Sequence, residues 1–223
     1  MRRGGTRAAR AAWLAVLLAL YGASALGAAP APFLWHVQGR VATSYLVGAV
    51  HLLPSSADSL PAALEQAYDE TNGAVFETDL GALQSRAVQL RFMAAGQVAT
   101  ALRHRVSARL YARVAQQMQA LGMPPALCGW VRAWWCAVSL GIYQFERAGF
   151  SEEYGIDNHF YGEAVADGKT VQWFETPAAH LALFSGMDRR LGRAMLRAAV
   201  APDDSGLASP QAVYRAWRDD DVA

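Results

Sequence analysis

Two strand-like runs separated by a helix-like segment constrain the fold of this 223-residue chain more than any other feature. Residues 43–48 are rich in β-forming side chains, and residues 74–78 form a second short apolar run. The segment between them, at about residues 60–71, has a helical pattern that ends at Asn72-Gly73. Strands joined by a crossover helix run parallel, with a right-handed connection. We therefore predict a strand–helix–strand unit in this part of the chain.

The rest of the chain is predicted to add helices around this unit. A hairpin at about residues 33–48 begins it, and a further strand-like run covers residues 169–174. Residues 82–148 are predicted to be helical, with apolar side chains at every fourth position of one helix. These side chains are Val106, Leu110, Val114 and Met118. We predict an α/β fold with a central, mostly parallel β-sheet flanked by helices, and a helical insertion at about residues 82–148.

Composition and missing motifs exclude several classes of protein. Hydrophobic residues make up 53% of the chain and charged residues 17%, which excludes a disordered chain. The formal net charge is +1, and no basic run lies beyond the N-terminus, so no nucleic-acid partner is expected. The sequence has no G-x-S-x-G, G-x-x-x-x-G-K-S/T, G-x-G-x-x-G or H-E-x-x-H motif. Serine hydrolases, nucleotide-binding proteins and zincins therefore lose their main support.

The N-terminus has the pattern of a secretory signal peptide. Four arginines in residues 1–10 precede an apolar run at residues 11–21 and the small residues Ala23-Ser24-Ala25. We predict a signal peptide at residues 1–25 and a mature domain at residues 26–223, in the periplasm or secreted. An uncleaved signal anchor is the alternative. No transmembrane segment is expected in the mature chain, because no later run reaches 18 apolar residues.

The two cysteines, Cys128 and Cys136, lie eight residues apart in a segment with a helical pattern. In a continuous helix this spacing is about 12 Å along the axis. A disulfide could not span that distance unless the helix broke between them. We therefore expect two buried thiols.

Polar, metal-competent side chains follow three of the strand-like runs. They are His51, Glu77 and Glu175. Because parallel strands end at the same edge of a sheet, we expect His51 and Glu77 to meet there and to hold a divalent metal ion or a polarised water. Asp157 and His159 form a second polar cluster, and they do not share a helix face because they are two residues apart. Asp157, His159 and Glu175 are possible additional ligands.

Each of these residues also has an explanation that needs no functional site. His51 could be a loop histidine, Glu175 a polar strand end, and the second cluster a solvated helix face. Asp79 is best interpreted as a cap for the following helix. Gly48 could let a ligand or a neighbouring backbone approach closely. A carboxylate after an apolar strand, such as Glu77, is costly to bury unless it is paired or coordinated, which favours a role in a site.

Several segments, taken in order, resemble the TraB/GumN family, which is related to the Tiki-type metalloproteases. The first matches are residues 33–37, Phe-Leu-Trp-His-Val, and residues 45–54, Tyr-Leu-Val-Gly-Ala-Val-His-Leu-Leu-Pro. Together they resemble the opening strand pair and first G-x-x-H motif of the family. Residues 74–79, Ala-Val-Phe-Glu-Thr-Asp, resemble its acidic strand end. Later matches are Arg132-Ala133-Trp134-Trp135, Gly155-Ile156-Asp157, Gly168-Lys169 and Phe174-Glu175-Thr176.

The resemblance implies an exported metal-dependent hydrolase, of peptidase type, that acts on a peptide or protein substrate. His51 would be a ligand to a divalent metal ion, and Glu77 a second ligand or the base that activates a metal-bound water. That water would attack an acyl carbon, with His51 orienting the metal and Glu77 moving the proton. Neither the residues nor the resemblance indicates which metal binds or how many subunits assemble.

The sequence departs from the family pattern at three points. Ala133 stands where the family usually has proline, His180 stands where it usually has glutamine, and the second G-x-x-H of the family is absent. The resemblance thus implies that the C-terminal part of the family domain is missing. Two alternatives to the hydrolase follow: a catalytically inactive binding or accessory protein on the same scaffold, and a metal- or haem-acquisition protein.

Overall fold

The computed structural model describes residues 33–55, 60–201 and 209–219. The predicted signal peptide lies outside these residues. The described chain mixes helices and short strands. Its strands are β1 (Leu34–Gln38), β2 (Thr43–Val47), β3 (Leu53–Pro54), β4 (Gly73–Thr78), β5 (Phe150–Ser151) and β6 (Thr170–Glu175).

The helices fill most of the chain between and after these strands. They are α1 (Ala62–Asp69), α2 (Leu80–Leu83), α3 (Arg86–Gly96), α4 (Ala108–Leu121), α5 (Ala133–Arg147), α6 (Ile156–Ala166), α7 (Pro177–Ser185), α8 (Arg189–Ala199) and α9 (Pro210–Arg218). Short 3₁₀ turns cover Leu102–His104, Pro125–Cys128 and Glu152–Tyr154. Among the described residues, no helix is long and apolar enough to cross a membrane.

The strands form three separate pairs, so the predicted central, mostly parallel sheet is not confirmed. β1 and β2 form an antiparallel hairpin, β3 pairs antiparallel with β5, and only β4 and β6 run parallel. The expected parallel partner of β4 was β2, which instead pairs with β1. The β1–β2 hairpin itself is confirmed. The parallel partner of β4 comes from 97 positions later, since Gly73 lies opposite Thr170.

Two hydrophobic clusters make up the core. One joins the strands to α1, α6 and α9, and its members include Leu53, Leu64, Phe76, Ile156 and Trp217. The other lies among the helices of residues 102–200, and its members include Leu110, Val114, Met118, Leu140 and Leu196. The three members of α4 are spaced by four and lie on its buried face, as the sequence predicts. Residues 82–148 contain helices and 3₁₀ turns, and their only extended pairing among described residues is a bridge between Gln97 and Val131.

The expectation of two free thiols is wrong, because Cys128 and Cys136 form a disulfide. Cys128 ends the 3₁₀ turn Pro125–Cys128, and α5 begins only at Ala133. The chain therefore changes direction between the two cysteines, and their Cα atoms lie 5.0 Å apart. Continuous helical rise does not apply across this break. Both residues are buried, as predicted.

Candidate functional site

The segment after β5 packs against the G-x-x-H loop that follows β2. The backbone N–H of Ile156 donates to the carbonyl oxygen of Val50 at 3.1 Å. Gly155 lies so close to His51 that a Cβ there would be 2.1 Å from the His51 carbonyl oxygen. Only glycine allows this approach, and it places the first turn of α6 directly beside His51.

His51 and Asp157 form a close pair at this junction. Nδ1 of His51 lies 2.7 Å from Oδ2 of Asp157. The imidazole is 63% exposed, whereas the carboxylate is only 15% exposed. The hydrogen bond to Asp157 raises the pKa of His51, and the charges of Asp157, Glu77 and Glu152 raise it further against the opposing effect of desolvation. The pair leaves Nε2 of the imidazole without a partner among the described residues.

Glu77 lies near His51 without contacting it directly. It follows Phe76 on β4, and the side chains of Phe76 and Thr78 are buried whereas that of Glu77 is exposed. Alternation along the strand therefore turns Glu77 away from the core. Its negative charge contributes to the raised pKa of His51. No hydrogen bond or ion pair joins the two side chains, so the direct partner of His51 is Asp157.

Glu175 ends β6 and is engaged elsewhere. It lies opposite Thr78 in the parallel pair. Its Oε2 is 3.3 Å from Nδ1 of His180, on the next helix. The His180 ring in turn contacts the rings of Phe92 and Phe184. This arrangement ties β6 to α7 and gives Glu175 a structural partner.

His159 forms a second cluster of metal-competent groups, with Glu65 and Glu163. Its Nε2 lies 3.2 Å from Oε1 of Glu65 and 3.5 Å from Oε1 of Glu163. The three donor atoms lie within 4.8 Å of one another. This cluster can link α1 to α6 by ion pairs or hold a divalent cation. Asp157 and His159 do not share a helix face, as predicted, and each has different partners.

Sequence reasoning missed part of both clusters. The four-residue spacing of His159 and Glu163 was a readable signal, since such residues are neighbours on a helix. No local signal pointed to Glu65, because α1 and α6 meet only in the folded chain. No local signal indicates the pairing of Asp157 with His51 either, although the residue type and position of each make it a candidate.

Gly48, the first residue of the G-x-x-H motif, has a packing role. A Cβ at this position would lie 2.6 Å from Cβ of Phe33. Its N–H donates to the Phe33 carbonyl oxygen at 2.8 Å, and its carbonyl oxygen accepts from the Trp217 indole at 2.8 Å. The close approach that Gly48 permits is therefore from Phe33, and it anchors the hairpin that leads to His51.

These features together define a mixed helix-and-strand domain in which the histidine of a G-x-x-H motif pairs with an aspartate. The model of the TraB/PrgY/gumN family matches residues 33–223. The chain belongs to this family. No curated protein and no solved structure matches the chain.

Proposed function

We propose that this protein is an exported metal-dependent hydrolase, of peptidase type, whose reaction centre is built on His51. The observation that carries the proposal is the Asp157–His51 pair, which fixes one ring nitrogen and leaves the other exposed. Family membership supports it. An exposed centre suits a peptide or protein substrate better than a closed pocket would.

The pairing of His51 with a carboxylate supports a divalent metal ion at this centre. Metal-ligating histidines commonly donate their other ring N–H to a carboxylate, which fixes the tautomer and makes the ligating nitrogen more basic. Asp157 stands in that position toward Nδ1 of His51. Nε2 of His51 and the exposed carboxylate of Glu77 would hold the ion. Glu175 and His159 have other partners, and we leave them out of the ligand set.

The chain's own groups have separate roles in the proposed reaction. A bound divalent cation would lower the pKa of a water molecule and polarise a substrate carbonyl. Asp157 holds the proton on Nδ1 and orients the ring. As the alternative to ligating the ion, Glu77 would accept a proton from the attacking water and return it to the leaving amine. The exposure of His51 leaves room for an extended peptide across the centre.

Export is supported by the disulfide as well as by the N-terminal pattern. Disulfides persist in oxidising compartments and are rare in the cytosol. Cys128 and Cys136 are joined in the helical part of the fold. A location in the periplasm or outside the cell agrees with both observations.

Hydrolysis of fluorescently labelled casein tests the proposal. The metal-free, disulfide-bonded protein is supplied in turn with Zn²⁺, Mn²⁺ and Co²⁺, and His51→Ala is compared with His159→Ala. We expect metal-dependent cleavage that His51→Ala abolishes and His159→Ala retains. Equal cleavage by wild type and His51→Ala would overturn the proposal. So would a folded wild-type protein that neither binds metal nor cleaves, a result that favours the binding or accessory protein.

A further inference from the structure

A small pocket lined by four arginines lies on the helical side of the protein, apart from the His51 centre. It is bounded by the start of α5, the start of α8 and the end of the 3₁₀ turn Leu102–His104. Its arginines are Arg105, Arg132, Arg189 and Arg193. Trp134 and Gly192 also line it. We call this feature the arginine pocket.

Two of the four guanidinium groups are fixed by neutral partners. Nη1 of Arg105 donates to the carbonyl oxygen of Val131 at 3.1 Å, and Nη1 of Arg132 donates to that of Ser185 at 3.0 Å. These bonds position the two groups but do not neutralise their charge. No carboxylate among the described residues forms an ion pair with any of the four. The acidic residue of the lining, Asp188, uses Oδ1 to cap α8 through the Leu191 N–H, at 2.7 Å.

Concentrating positive charge in this way is unfavourable without an anion. Burial lowers the pKa of Arg105, and the charges of the other three arginines lower it further. Like charges in a partly buried site repel one another, whereas an oxyanion that accepts from several guanidinium groups forms strong, charge-assisted hydrogen bonds.

Two residues of the pocket lining also carry buried donors that lack an acceptor. Nε of Arg132 and Nε1 of Trp134 are both buried without a hydrogen-bond partner. Trp134 is only 4% exposed, so water does not readily satisfy its indole N–H. Buried donors of this kind are rare in folded proteins, because an unpaired buried donor destabilises the fold. A bound oxyanion would supply the missing acceptors.

The N-terminus of α5 opens into the same pocket. No side chain caps this 15-residue helix, and its first residues, Ala133 and Trp134, line the pocket. Free N–H groups at a helix N-terminus carry a partial positive charge and bind anions. The residues that line the pocket therefore carry free backbone donors, an indole N–H and four guanidinium groups.

We infer that the arginine pocket binds a phosphate group, either inorganic phosphate or the phosphate of a small phosphomonoester. A tetrahedral dianion offers more acceptor oxygens and more charge than a carboxylate, and it matches the number of donors here. The inference goes beyond the proposed hydrolase and does not depend on it.

Calorimetric titration of the metal-free, disulfide-bonded protein at low ionic strength tests the inference. The probes are inorganic phosphate, phosphoserine and acetate. We expect saturable binding of phosphate or phosphoserine at one site, with acetate binding at least about tenfold more weakly. The stronger of the two phosphate probes identifies the source of the phosphate. Absence of binding by both, or equal binding of acetate, would overturn the inference.

Substitutions on one helix provide matched variants. Arg189→Gln and Arg193→Gln remove charges that line the pocket, whereas Arg190→Gln and Arg197→Gln remove charges of the same helix that do not line it. We expect each of the first two to weaken phosphate binding by about tenfold or more and the other two to have little effect. Equal losses in both sets would show non-specific attraction and contradict the inference. His51→Ala should leave phosphate affinity unchanged, which separates this site from the hydrolase centre.

Discussion

Asp157 holds Nδ1 of His51 at 2.7 Å, although 106 positions of the chain separate the two residues. The contact depends on Gly155, whose missing side chain lets the start of α6 lie on the G-x-x-H loop. The Gly155-Ile156-Asp157 segment therefore orients the histidine of a motif far away in the sequence. This relationship brings together two segments that resemble the family but lie far apart in the sequence.

Asp157→Asn should lower the pKa of His51 toward its ordinary value, because the hydrogen bond to the carboxylate is the main cause of the raised pKa. A histidine whose pKa is raised in the folded state stabilises the fold fully below its unfolded pKa, and the contribution disappears as pH rises through the folded pKa. The variant should thus lose more stability at pH 5.5 than at pH 9. Urea unfolding at both pH values measures this. Glu153→Gln is the control, and an equal loss at both pH values would contradict the assignment.

Gly155→Ala should destabilise the protein by about 3 kcal/mol, because its Cβ would overlap the backbone of His51. The same variant should separate Asp157 from His51 and thereby reduce hydrolysis. Gly162→Ala, on the same helix, is the matched control: nothing lies within 4 Å of a Cβ there. Because alanine has a higher helix propensity than glycine, Gly162→Ala should raise the stability of the protein by up to about 1 kcal/mol. Thermal unfolding compares the two, and similar effects would argue against the packing described.

Reduction of the Cys128–Cys136 disulfide should destabilise the fold by about 2–3 kcal/mol, since the bond closes a short loop of the unfolded chain. Unfolding in urea with and without reductant measures the difference. Cys128→Ser should behave like the reduced protein. Two free thiols in the untreated, exported protein would show that the bond does not form.

Sequence signals that act within one element were reliable. The spacing of Leu110, Val114 and Met118 predicted the buried face of α4, and Asp79 caps α2 through the Ala82 N–H at 2.8 Å, as expected. The failures involve the relation between distant or interrupted segments. The pairing of β4 with β6 depends on where the whole chain places β6, and local patterns carry no such information.

In the candidate site, too, single residues could be predicted from the sequence but contacts between distant segments could not. His51, Glu77 and Asp157 could be selected as candidates from their residue types and positions, but their mutual arrangement could not. The direct partner of His51 comes from α6 and not from the neighbouring strand end. The break that joins Cys128 to Cys136 was also missed, because the surrounding residues have a continuous helical pattern.

Side-chain ¹⁵N spectroscopy of the histidines during a Zn²⁺ titration tests the central claim most directly. The account predicts that Nε2 of His51 shifts to a metal-bound value while Nδ1 keeps its proton, held by Asp157. In Asp157→Asn the same shift should need more Zn²⁺. An unchanged His51 spectrum, with the metal-dependent shift at His159 instead, would contradict the account and assign the ion to the cluster with Glu65 and Glu163.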